Sequence, residues 1–268
     1  PGQVEDRTPL LALLHDRKAS REQVLGAVAR LAERHWLTTS GQYLSAVAAL
    51  GRHSKWQGAV ALVSDMLERN VELEIKVIGA AVSACKSQWQ QALRLLGLLE
   101  GQSGGHLTVV MNAAMNACAT SSNWEQAMSL LGSMTSPDTT SLNTAIAACA
   151  RAKRWEEAHA LFAEMPKRRL APDVVSFNSV ICSLSKGPHW EAVLQLLAEM
   201  KELHLEPDVI SYNSAIDASS NLAVAKRLLK DMGCCSVSPN VITFNSAIAA
   251  CSTDLSDGDE EVLSLLAE

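Results

Sequence analysis

Asparagine returns at one register along this 268-residue chain, at Asn112, Asn143, Asn178, Asn213 and Asn245, each time directly after Leu, Met, Phe or Tyr. A second series follows it, always after a proline: Asp138, Asp173, Asp208 and Asn240. An amide carries both a donor and an acceptor, so an Asn side chain can pair with the Watson–Crick edge of a base. A nearby carboxylate can accept from that amide and fix its orientation. The plainer reading makes Asn a first-turn helix residue and Asp a turn or cap former. The Asp series fits either reading equally well. The Asn series fits the plainer one poorly, because Asn is a mediocre helix former.

No catalytic motif competes with this. The seven His are scattered, without HExxH or Ser/His/Asp context, and no GxxxxGK or GxGxxG occurs. Four of the seven Cys, Cys85, Cys118, Cys149 and Cys251, recur about one unit apart with no CxxC pair. They read as small buried hydrophobes, not as zinc ligands or a disulfide framework. Cys234-Cys235 is a vicinal pair in a loop. No metal or other cofactor is expected.

The elements that position the Asn series are helical. The stretch from Val174 to Asp208, VVSFNSVICSLSKGPHWEAVLQLLAEMKELHLEPD, sets the pattern. Val174 and Val175 read as an extended pair, and Ser176 as the N-cap of a first helix. A split near Gly187-Pro188 separates it from a second helix. There Val193, Leu196, Leu197 and Met200 make an amphipathic stripe. The stripe recurs as Ala59, Leu62, Val63, Met66; as Ala92, Leu95, Leu96, Leu99; as Ala127, Leu130, Leu131, Met134; as Ala158, Leu161, Phe162, Met165; and as Ala225, Leu228, Leu229, Met232. Trp falls ten residues before Met at 56/66, 124/134, 155/165 and 190/200, with Trp/Leu at 89/99 and Leu/Met at 222/232. The Trp and Met residues are expected in the core. Recurrence at such a spacing is the signature of a solenoid of helical hairpins.

The units cut at 40–74, 75–107, 108–138, 139–173, 174–208 and 209–240, with an incomplete 241–268. Residues 1–39 form a degenerate repeat or N-terminal capping helices. Within them Ser20 and Gln23 make a capping box for a helix through QVLGAVARLAERHWL. The opening PGQVEDRTPL resembles neither a signal nor a transit peptide, and the helical pattern stops at LSLLAE, as in a piece of a longer chain.

Charge bounds the partners. Residues 1–107 hold 12 Lys+Arg and 10 Asp+Glu, residues 108–240 hold 11 and 13, and residues 241–268 hold none and six. The body is near neutral, so no broad basic field drives non-specific nucleic-acid binding. No apolar run reaches the roughly 18 residues of a membrane span.

The phrases VVSFNSVI, VISYNSAI and VITFNSAI, each after Pro-Asp or Pro-Asn, resemble the pentatricopeptide repeat family over roughly residues 40–268. The tetratricopeptide repeat has a similar period but lacks the aromatic-Asn step and the closing Pro-Asp. Trp at the start of the second helix departs from the family, which more often has an aliphatic residue there. The resemblance implies an all-α, right-handed α-α superhelix whose first helices line the inner groove. It implies sequence-specific binding of single-stranded RNA, one base per repeat, in organellar RNA processing, stability or translation.

Carried over by register, the base-reading pairs are Asn112 with Asp138, Asn143 with Asp173, Asn178 with Asp208, and Asn213 with Asn240. Asn245 stands without a partner. The base-sandwiching residues are Val109, Thr140, Val175, Ile210 and Ile242, and Arg52, Arg151 and Lys186 fall at the phosphate register. In the family Asn with Asp favours uracil, and Asn with Asn favours cytosine over uracil. The expected RNA is therefore UUU followed by C or U, and the expected compartment a mitochondrion or chloroplast. Units 40–74 and 75–107 depart from the code, with Leu44, Glu74, Gly79 and Leu107 at its positions. No enzyme is expected, since no catalytic motif occurs, and no membrane partner, since no apolar run is long enough to span. The rival class is a protein-binding scaffold, since α-solenoids present long surfaces to peptides.

Overall fold

The computed structural model describes residues 7–16, 18–99, 105–185, 187, 189–219 and 222–251. Among them fifteen α-helices and one 3-10 turn occur and no strand. The chain divides into two compact units, residues 1–137 and 138–268.

The first unit holds α1 (Arg7–His15), α2 (Arg21–Glu33), α3 (Ser40–Arg52), α4 (Trp56–Glu68), α5 (Ile75–Ala84), α6 (Trp89–Gly97), α7 (Gly105–Thr120) and α8 (Trp124–Ser133). They pair as consecutive hairpins. The first helix of each hairpin packs on the first helix of the next, α1 on α3, α3 on α5 and α5 on α7. The second helices α4 and α6 each pack on their own partner and on the following first helix.

The second unit repeats the plan with α9 (Thr139–Arg151), α10 (Trp155–Glu164), α11 (Val174–Leu184), α12 (Trp190–Glu202), α13 (Val209–Ala218), α14 (Leu222–Cys234) and α15 (Val241–Cys251). Here α9, α11, α13 and α15 run side by side, and α10, α12 and α14 cover them from behind. Both units are stacks of helical hairpins, so the fold class is the all-α solenoid expected.

The apolar quartets form the core. Ala59, Leu62, Val63 and Met66 are buried, as are Val193, Leu196, Leu197 and Met200 and Ala158, Leu161, Phe162 and Met165. Cys85, Cys118 and Cys149 are fully buried and act as the small hydrophobes expected, whereas the side chain of Cys251 lies outside the described residues. The Trp residues depart from expectation. Trp56, Trp89, Trp124 and Trp155 are half-buried and Trp190 is exposed. Each is the first residue of its helix, so its ring lies at the edge of the stack. Trp155 packs there against the His189 ring, centroids 4.1 Å apart.

Helix ends follow two devices. At the N-termini, Ser20 and Gln23 form the expected capping box on α2. At the C-termini a residue with positive φ closes the helix at His35, Ser54, Asn70, Ser122, Lys153, Arg169, His204 and Ser236, and none of these is glycine. The next residue donates its N–H five residues back, as Trp36 does to Leu31 and Lys55 to Leu50, which is the Schellman closure. That closure stops α2 at Glu33 rather than carrying it through Leu37. Similarly, α7 starts three residues before the unit boundary at 108.

Candidate nucleic-acid interface

Asn143, Asn178, Asn213 and Asn245 are the fifth residues of α9, α11, α13 and α15, where local capping explains their setting, and Asn112 is the eighth residue of α7. Asp173, not Ser176, is the N-cap of α11. Its carboxylate accepts the Ser176 N–H at 2.8 Å, and its own N–H donates to the Ser176 hydroxyl at 3.1 Å. Val174 and Val175 are therefore the first two helical residues, not an extended pair. β-branching costs little there, since no preceding helical turn crowds the side chain at χ1. Asp138 with Ser141 and Asp208 with Ser211 build the same reciprocal box on α9 and α13. Asn240 with Thr243 does so on α15.

The cap also reaches the preceding hairpin. Asn143 on α9 donates from Nδ2 to Asp173 Oδ1 at 3.0 Å. Asn178 on α11 donates to Asp208 Oδ1 at 3.1 Å. Asn213 on α13 donates to Asn240 Oδ1 at 3.4 Å. The two readings of Asp thus merge: one carboxylate both caps a helix and holds the amide of the hairpin before it. Burial pushes the Asp173 carboxyl up. The Ser176 N–H and hydroxyl and the Asn143 amide, all donating to it, outweigh that and hold it below the ordinary carboxylate range.

A hydroxyl completes each group. Ser176 Oγ donates to Asn143 Oδ1 at 2.7 Å, Ser211 Oγ to Asn178 Oδ1 at 2.5 Å, and Thr243 Oγ1 to Asn213 Oδ1 at 2.5 Å. Each amide is held at both ends, which leaves it one N–H and one lone pair. Sequence singled out Ser176 only as an N-cap, and Ser211 and Thr243 not at all. The signal was present, as Ser or Thr two residues before Asn143, Asn178, Asn213 and Asn245.

The other predicted residues fall as follows. Val175, Ile210 and Ile242 are 58, 60 and 61 % exposed, and Thr140 is exposed on α9. Asn143 is only 8 % exposed, less open than expected, whereas Asn178 and Asn213 are half-buried and Asn245 exposed. In the first unit Val109 is 65 % exposed and Asn112 half-buried on α7. Arg151 is exposed in the last turn of α9. Arg52 donates to the Leu14 carbonyl at 2.7 Å, so part of its guanidinium ties two hairpins together. Lys186 lies outside the described residues. No cluster of three His, Cys, Asp or Glu able to hold a metal occurs among the described residues. No helix among them is long and apolar enough to cross a membrane.

Comparison with known proteins agrees with this geometry. The PPR repeat family model matches residues 137–186 and 172–221, and the PPR repeat model matches 43–71 and 109–136, together more than half of the chain. No curated protein matches the chain. The crystal structure of the pentatricopeptide repeat protein PPR10 from maize superposes with a TM-score of 0.80 at 20 % identity, over 98 % of this chain and 39 % of that one. PPR10 in complex with an 18-nucleotide psaJ RNA element gives the same score and identity, over 98 % of this chain and 40 % of that one. The chain thus spans about two fifths of that protein's length. With repeats matching in both compact units over more than half of the chain, and a cap-to-amide contact repeated between hairpins, the chain belongs to the pentatricopeptide repeat family.

Proposed function

We propose that the protein binds single-stranded RNA and reads one base per hairpin through the Asn series. The observation that carries this is the state of Asn143 and Asn178. Each amide is held by a carboxylate at one end and a hydroxyl at the other, with one donor and one acceptor left over. A uracil edge offers N3–H beside a carbonyl oxygen and complements that pair. The exposed Val175, Ile210 and Ile242 supply apolar surface at the flanking register, where bases can stack. Exposed aliphatic side chains at one repeated register have no folding role that accounts for them.

By the same reading Asn143 with Asp173 and Asn178 with Asp208 select uracil, and Asn213 with Asn240 accepts cytosine or uracil. Val109 and Thr140 complete the stacking series, and Arg151 and Lys186 lie beside phosphate. In this reading the protein acts as an RNA-binding scaffold. Its RNA is that of a mitochondrion or chloroplast, as family membership implies. The near-neutral body favours a second reading, a scaffold for a peptide. Competition by homopolymers at fixed salt decides. Poly(U) displaces a labelled UUUC-containing RNA and poly(A) does not. Equal displacement by every homopolymer removes coded readout, and no binding at all leaves the peptide scaffold.

A further inference from the structure

The Asn–Asp pairs fix where the amide nitrogen points, but a carboxylate holds only one end of the group. The other end is held by a hydroxyl from the following hairpin, and that hydroxyl follows a rule within this chain. Where the fifth residue of a unit is Asn143, Asn178 or Asn213, the third residue of the next is Ser176, Ser211 or Thr243. Ser141 holds that register after Asn112. Where the fifth residue is Leu44 or Gly79, the third residue of the next unit is Val77 or Val110. The two positions face each other even when neither is polar: a Cβ added to Gly79 would lie 3.2 Å from Val110 Cγ2. Ser176, Ser211 and Thr243 are all fully buried. Buried hydroxyls need partners, and each of these has two acceptors within reach, the amide one hairpin back and the oxygen of its own N-cap.

We propose that Ser176, Ser211 and Thr243 are specificity-determining positioning residues, each fixing the orientation of the base-reading amide one hairpin back. The inference rests on the RNA reading above. Turning an Asn side chain over exchanges its oxygen and its nitrogen, and so exchanges which group meets each atom of a base edge. That exchange is the difference between complementing uracil and complementing cytosine. Asp208 alone disfavours the turned form, since a carboxylate cannot donate to an amide oxygen. Ser211 disfavours it again by donating to Oδ1 at 2.5 Å.

The hydroxyl has a single proton and two acceptors within reach, Asn178 Oδ1 at 2.5 Å and Asp208 Oδ1 at 3.0 Å. The shorter contact is the one to the amide, and the second lone pair of Asn178 Oδ1 stays open to accept a base N–H while the hydroxyl remains in place. In the hairpin of Asn213 the anchor is the neutral Asn240 oxygen at a longer 3.4 Å. The amide is held less firmly there, which matches a position that accepts either pyrimidine.

The test uses two replacements of nearly equal shape. Ser211→Thr keeps the hydroxyl, as Thr243 does naturally. Ser211→Val removes it, and Val77 and Val110 show that valine is accommodated at this register. Affinities are measured for RNAs carrying U, C or A at the base assigned to Asn178. The expected result is that Ser211→Val lowers the uracil-over-cytosine preference at that base by about tenfold, the worth of one good base contact, while Ser211→Thr keeps it. The preferences at the other bases stay as they are in both variants. Equal preferences in the two variants overturn the inference.

A wild-type protein that does not distinguish U from A overturns the RNA reading itself, which is a different outcome. In free protein labelled with 15N-asparagine, the side-chain amide resonances of Asn178 shift in Ser211→Val and not in Ser211→Thr. Unmoved resonances in Ser211→Val show that the hydroxyl does not hold the amide and overturn the inference without any RNA.

Discussion

Asn178 and Asp208, thirty residues apart, meet at 3.1 Å, so the last residue of one hairpin fixes a side chain at the start of that same hairpin. The carboxylate at the same time caps α13. Changing Asn178 to Thr with Asp208 kept should move that position from uracil toward guanine, the base that family units with Thr and Asp favour. One hydroxyl would replace a paired donor and acceptor. The swing is bounded at roughly ten- to hundredfold by the worth of one good base contact. The measurement is the affinity of both proteins for oligonucleotides with UUU or UUG at the central bases, at fixed salt. Equal weakening for both RNAs would mean that Asn178 supports structure only. Because Asn178 bridges α11 to Asp208 and Ser211, the substitution also costs stability, about 1 kcal/mol for each net hydrogen bond lost.

The exposed aliphatic series separates binding from folding. Replacing Val175 and Ile210 together by Ser should weaken RNA binding, with the about 1–3 kcal/mol per base of aromatic stacking as the ceiling for aliphatic side chains. The urea midpoint should hold within error, because both side chains are more than half exposed. A lower midpoint with unchanged RNA affinity would assign the pair to packing.

Asp173 makes a pH prediction with a definite sign. Its folded-state value is depressed below 3.8, so the stability it contributes is present above that value and disappears as pH falls through the lower folded value. Wild type and Asp173→Asn should therefore differ by a constant amount from neutral pH down to about pH 4.5, and converge below about pH 4. Paired urea titrations across that range check it. A difference that persists unchanged to pH 2 would show that the carboxylate charge is not what Ser176 and Asn143 hold.

The cysteines should divide by burial. Burial raises the thiols of Cys85, Cys118 and Cys149 to about 11. Cys182, Cys234 and Cys235 are exposed. Alkylation of the native protein at pH 8 should label the second group in minutes and leave the first intact until denaturant is added. Peptide mass spectrometry reads the order, and early labelling of Cys118 or Cys149 would show that the hairpins open.

The repeat itself was legible because its core is built from quartets of Ala, Leu and Met whose spacing belongs only to a helix, and those residues are buried as their period requires except Leu96, Leu130 and Leu229, which are half-buried. The caps were harder to read. Asp173 and Ser176 are both good N-cap residues, and in a reciprocal box each contacts the other, so composition cannot tell which one begins the helix. Two β-branched valines between them tilted the reading toward an extended start. The Trp residues misled in another way: a large apolar residue at a fixed register signals packing, but at the first position of a helix it packs on an edge. Arg52 carried the same ambiguity, since a cation at the phosphate register can equally bond a carbonyl, and here it bonds that of Leu14. The hydroxyls of Ser211 and Thr243 went unread because their partners lie in the preceding hairpin, beyond the reach of a pattern read one repeat at a time.

The bond from Ser176 to Asn143 also decides where this array can be cut for engineering. A cassette taken from Val174 through Asp208 carries the hydroxyl that serves the host's upstream Asn and leaves behind the one that serves its own. A cassette taken from Phe177 through Ser211 moves Asn178, Asp208 and Ser211 as one inheritable set. Its seams fall inside α11 and α13, so the grafted residues must continue the host's helices in phase. The interchangeable module of this protein is therefore offset from the hairpin the eye picks out, and a library shuffled at hairpin boundaries keeps the hydroxyl only where the incoming unit has Ser or Thr as its third residue, as with Ser176, Ser211 and Thr243 and not with Val77 or Val110.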